Sequence, residues 1–199
     1  MKEEQDFQEV KLPDNKSKRT LIGISAGIAI IVAVVIFTAV FVGLNAYRRP
    51  IKDVTKGVNK ADTLLLMESI YPEDIITVKR INKKDSGTSW KDYLRQNDDY
   101  IESQMDKMGL KKAKCDIVAK EKISGSNLTN IKNFYQEAYE ADVKKAYRVE
   151  VNMTFKTNGG NETPSGWLCV VKLKDEGWKF CPEYSEDHFD FIDKAVNFQ

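Results

Sequence analysis

The chain has 199 residues, with 31 Lys and Arg against 30 Asp and Glu and a formal net charge of +1. That balance gives no support to nucleic-acid binding, which needs a concentrated basic surface. With 42% hydrophobic and 10% aromatic residues the chain is not wholly disordered, and the residues after the first 46 suffice for one domain with its own core.

Residues 1–20 are polar and mixed in charge, and read as a disordered cytoplasmic tail. Residues 21–44 then run for 24 positions without a charge. As a helix they cover about 36 Å, more than the roughly 30 Å hydrocarbon core of a bilayer. A cleaved export signal has a shorter apolar region and a small-x-small cut site. Here Leu44 occupies the small-residue position for a cut after Ala46, and no cysteine follows the run to mark a lipoprotein. The expectation is a transmembrane helix over 21–46, with the lipid bilayer as its partner.

Basic residues do not decide the orientation. Lys2, Lys11, Lys16, Lys18 and Arg19 precede the run; Arg48, Arg49, Lys52, Lys56 and Lys60 follow it. The cluster at Lys16, Lys18 and Arg19 favours an N-terminus inside, so a single-pass protein of the cell membrane with its C-terminal domain extracytoplasmic is expected. Gly23 and Gly27 form a G-x-x-x-G, a pattern that lets two helices approach closely, so self-association or pairing with another protein through this helix is a candidate. Arg19, Arg48, Arg49 and the ring of Tyr47 are expected at the membrane interface. Residues 47–58 read as a juxtamembrane linker in which Pro50 ends any continuous helix.

The outer domain is expected over 59–199. Val54, Val58, Ala61, Leu64 and Leu65 repeat at helical spacing, and that helix stops before Pro72. "IITVKRIN" reads as a short strand or an ordered loop. Trp90, Leu94, Ile101, Met105 and Met108 form the stripe of a second helix, capped by Ser89 with Asp92 three residues on and ended by Gly109. The period then changes to two, with Ala113, Cys115, Ile117 and Ala119 on one face. A third helix carries Ile131, Tyr135 and Ala138, with Ser126 or Asn127 as cap. Tyr147, Val149, Val151, Met153 and Phe155 give the cleanest strand. "GWLCVVKLKDEGWKF" is a hairpin turning at Asp175-Glu176-Gly177. A last short helix starts at Ser185 and buries Phe189 and Ile192. The expected class is α+β: an antiparallel sheet with one polar face, covered by helices on the other.

The order, the size and the closing hairpin resemble the cystatin-like cone fold of the nuclear transport factor 2–like superfamily, over roughly residues 59–183. The resemblance implies a cone-shaped pocket between a curved sheet and its helices, lined here by Trp90, Tyr135 and Tyr147. Ketosteroid-isomerase-like members use an acid and a tyrosine inside the cone. The acids that can be placed, Asp116 and Glu150, fall on the polar strand face, so core packing is the first reading of the tyrosines.

Three cysteines, Cys115, Cys169 and Cys181, read as free thiols. Strand parity puts Cys169 on the core face with Val171 and Leu173 and turns Cys181 away. No C-x-x-C occurs and His188 is the lone histidine, so no zinc site or other cofactor is expected, and His188 reads as a solvated residue near the terminus. Three Asn-x-Ser/Thr matches, at Asn127, Asn152 and Asn161, read as chance in a Lys-, Ile- and Asn-rich chain of bacterial character.

The function expected is a non-enzymatic, membrane-anchored extracytoplasmic module that binds a protein, peptide or small ligand. The layout of tail, single span and cone domain also resembles a structural subunit of type IV secretion and conjugation channels. An isomerase- or dehydratase-like enzyme ranks third.

Overall fold

The computed structural model describes residues 45–185. The apolar run, with Arg19, Gly23 and Gly27, lies outside them, as do His188 and the expected closing helix. No helix among the described residues is long and apolar enough to cross a membrane. The chain divides into two compact units, Met1–Leu44 and Asn45–Gln199.

The second unit takes in the stretch expected to be a linker. Helix α1 spans Arg48–Lys60. Pro50 stands in its first turn, where a missing amide costs nothing, instead of ending it. Ile51, Val54 and Val58 are buried on one stripe. Ala61, at φ 47°, turns the chain left-handed, and the Asp62 carboxylate accepts from the Leu65 amide at 3.0 Å to start α2, Thr63–Ile70. The Asn59 side chain holds α1 to the sheet. Its Oδ1 accepts from the Ala113 amide at 2.6 Å, and its Nδ2 donates to the Ala113 carbonyl at 2.7 Å.

The expected strand or loop at "IITVKRIN" is a helix, α3, Glu73–Asp85. Glu73 and Asp74 lie in its first turn and Lys83 and Lys84 in its last, charges that favour a helix dipole over the β preference of Ile-Ile-Thr-Val. None of its residues is buried. Helix α4, Trp90–Lys107, begins as its sequence indicates. The Ser89 hydroxyl accepts from the Asp92 amide at 3.1 Å, and Gly109 leaves the helix at φ 62°.

Strands β1 (Leu110–Ile123) and β2 (Val143–Thr157) are long; β3 (Gly160–Glu162), β4 (Ser165–Leu173) and β5 (Trp178–Cys181) are shorter. They form one antiparallel sheet ordered β1-β2-β4-β5, with β3 also paired to β2. Helix α5, Gly125–Tyr139, connects β1 to β2. A turn of 3₁₀ helix at Pro182–Tyr184 follows β5.

The molecule is α+β, as expected; helices cover one face of its sheet and, through α5, part of the other, where Asp116 and Asn152 stay exposed. Val149, Val151, Met153, Leu168, Val170 and Phe180 meet Ile51, Val54, Val58, Leu66, Ile70 and Ile101 of the first helices. On the opposite face Ala146, Cys169, Val171, Leu173 and Cys181 meet Ile131 and Tyr135 of α5. Strand β4 is therefore buried on consecutive residues, Leu168 through Val171, the pattern of a strand with two apolar neighbours. This corrects the parity argument for the cysteines. Val171 and Leu173 do not share a face with Phe180, and Cys169 stands directly opposite Cys181 in the ladder. Both thiols are free and fully buried.

Candidate functional site: a cleft at the hairpin turn

The β4–β5 turn reaches back to the helices about 100 residues earlier in the chain. Both Glu176 carboxylate oxygens accept from the Glu73 amide at 3.2 Å, which caps the N-terminus of α3. Lys179 is 9% exposed. Its ammonium donates to the Glu68 carbonyl at 2.9 Å and pairs with Glu176 at 3.1 Å. Lys172 donates to the Glu176 carbonyl at 2.7 Å. The turn is thereby fastened to the end of α2 and the start of α3.

Between these parts lies a cleft of about 580 Å³. Leu64, Ile76 and Trp90 give it apolar walls; Glu68, Glu73, Asp175 and Glu176 bring four carboxylates, and Arg80 and Lys179 two cations. Glu176 and Lys179 cancel each other. Among the described residues Glu68, Glu73, Asp175 and Arg80 enter no ion pair, so the lining carries an excess of negative charge. The Trp90 indole stacks on Tyr93 at 5.2 Å and 26°, and Lys83 sits 4.7 Å from the Tyr93 ring centroid. These contacts hold the indole in place as a flat wall.

The structure does not bring the three expected pocket residues together. Trp90 lines the cleft. Tyr135 is 1% exposed in the core beneath α5. Tyr147 packs on the other face, stacked on Trp178 at 5.1 Å and 17°. The space expected to be a cone pocket is occupied along β2, β4 and β5 by the first core.

An acid does lie near tyrosines, but beside the second core. Tyr139 donates to Glu183 Oε1 at 3.3 Å, and the Cys181 thiol lies 3.6 Å from Glu183 Oε2. Burial raises the Tyr139 pKa, with the Glu183 charge adding to it. Burial also pushes Tyr135 well up, with the neighbouring Cys181 contributing, and Cys181 rises through burial and its contact with Cys169. All three therefore hold their protons at neutral pH, as packing groups do. Among the described residues no group of three or more His, Cys, Asp or Glu is placed to hold a metal ion.

Of the expected interface residues, Tyr47 is 4% exposed and part of the first core, edge-on to Tyr147 at 5.7 Å and to Trp178 at 6.4 Å. Arg48 Nε donates to the Tyr47 hydroxyl at 3.1 Å. Arg49 is exposed and pairs with Asp53 at 3.4 Å.

The cleft's acids and Lys179 escaped the sequence reading. "SIYPED" and "KDEG" read as punctuation, and only the topology sets them side by side. No family model, no curated protein and no solved structure matches this chain.

Proposed function

We propose that the protein is a membrane-anchored, non-enzymatic binding module. Residues 21–46 form its single span, the tail stays cytoplasmic, and the chain from Tyr47 onward is extracytoplasmic. The nuclear transport factor 2–like reading of the fold belongs to this proposal. The ligand is a protein segment that combines basic and aliphatic side chains, taken up in the cleft at the hairpin turn. The observation that carries this is the lining itself: a fixed indole and two aliphatic walls beside Glu68, Glu73 and Asp175, which have no ion pair among the described residues. Such carboxylates attract and orient a cationic chain, and the aromatic wall supplies contact area.

The test uses the full chain in detergent with a fluorescein-labelled peptide of alternating Leu and Lys, read by anisotropy. Binding is expected for this peptide and not for a Leu–Glu counterpart. Trp90→Ala is expected to weaken it roughly tenfold, the scale of one interface anchor, and Glu68→Gln with Glu73→Gln to weaken it and flatten its salt dependence. Equal binding of both peptides, or binding indifferent to Trp90, overturns the proposal.

A further inference from the structure

We infer that a cation–aromatic face at the start of the compact unit lies against anionic phospholipid headgroups; this rests on the reading of residues 21–46 as a membrane span. Three rings, Tyr47, Tyr147 and Trp178, pack together where α1 begins. Cations from three separate elements cover them. Lys120 of β1 lies 4.3 Å from the Tyr47 centroid and 5.0 Å from that of Tyr147. Lys145 of β2 lies 5.9 Å from Tyr147 and 5.4 Å from Trp178. The Arg48 guanidinium lies 5.7 Å from Tyr47. Lys122 stands opposite Tyr147 in the β1–β2 register.

These four cations enter no ion pair among the described residues, whereas neighbouring acids are already matched: Asp53 with Arg49, Glu121 with Arg148, Asp142 with Lys174. The face is thus a local positive excess on a chain of formal charge +1. Resting an ammonium on a ring holds it in place while leaving N–H groups free for an external acceptor.

The occupant follows from the chain. Leu44, the last residue of the apolar run, is three residues before Tyr47 and four before Arg48. Four residues reach at most about 14 Å. Whatever the orientation of the unit, this end cannot leave the zone of the headgroups if the run spans the bilayer. Cations beside rings suit that zone, where phosphate oxygens accept from Lys and Arg and aromatic side chains settle. The structure adds Lys120, Lys122 and Lys145 to the arginines expected there from the sequence, and it makes the rings the support of the cations.

The experiment uses the full chain reconstituted in nanodiscs of phosphatidylcholine, with or without phosphatidylglycerol, and an amine-acylating reagent read by mass spectrometry. Lys120, Lys122 and Lys145 are expected to label roughly fivefold more slowly in the anionic discs, the weight of one lysine at an anionic surface. Lys112 and Lys156, at the other end of the β1–β2 ladder, should label alike in both. High salt should erase the difference. Combining Arg48→Gln, Lys120→Gln and Lys145→Gln should remove the protection of Lys122. Equal labelling of an inserted chain in both discs overturns the lipid face and leaves the anchor standing. A chain that does not enter the discs at all overturns the anchor and this face with it.

Discussion

Asn59 is the residue on which the docking of α1 turns. One side chain satisfies both the amide and the carbonyl of Ala113, which is buried in β1. Asn59→Ala leaves both unpartnered and is expected to cost about 1–3 kcal/mol, read as a lower urea midpoint at unchanged slope. Gly57 marks the tightest approach of α1 and α2: a Cβ there would lie 2.7 Å from Leu66 Cγ, and Leu66 is fully buried. Gly57→Ala should therefore destabilise by about 1–3 kcal/mol through overpacking, despite the better helix propensity of Ala. Burial and the Asp116 charge push the Cys115 thiol up to about 12 from its ordinary 9.0. In the folded protein it should resist alkylation at pH 8 and react once urea unfolds the chain. The raised groups Cys115, Tyr139, Tyr135 and Cys181 keep protons in the folded state that the unfolded chain gives up. Stability conferred this way is present below the unfolded pKa values and is lost as pH climbs past about 9. Urea midpoints at pH 7 and pH 10 check the sign, and the second should be lower.

Among the elements, α3 is the weakest. It buries no residue and leaves Val78 and Ile81 about half exposed, and its N-terminus is held by Glu176. Its amides are expected to exchange faster than those of α1 and α4, and Glu176→Gln should speed them further. How much of each element is legible in the sequence follows from the forces that make it. Helix α4 is legible because its cap, Ser89 with Asp92, and its stop, Gly109, are local. β2 is legible because its apolar face alternates cleanly. Helix α3 is hidden because its β-branched residues argue for a strand, while the charges at its ends, which decide for a helix, look like ordinary solubility. The second half of α1 is legible in Val54 and Val58, but its start is hidden behind Pro50 and two arginines, since a proline in a first turn and a proline after a last turn look alike without the next element. The second core is hidden because a strand buried on both faces has no alternation to read, and "WLCVVKL" yields a plausible one-faced strand when forced into that pattern.

For the molecule as a whole, the consequence of burying both faces of β4 is that the sheet interior is filled, and the accessible chemistry moves to where the hairpin turn meets α2, α3 and α4. Trp90 was legible as a large aromatic at a helix start. The carboxylates beside it were not, because residues 64–90 and 175–179 meet only through the topology. The central claim, that this cleft receives a basic segment, is tested most directly by amide exchange of the full chain with and without the Leu–Lys peptide. The account predicts slowed exchange in residues 64–77, at the start of α4 and in residues 175–179, with the open strand face around Asp116, Glu150 and Asn152 unchanged. Slowed exchange on that strand face, with the cleft unaffected, would contradict it.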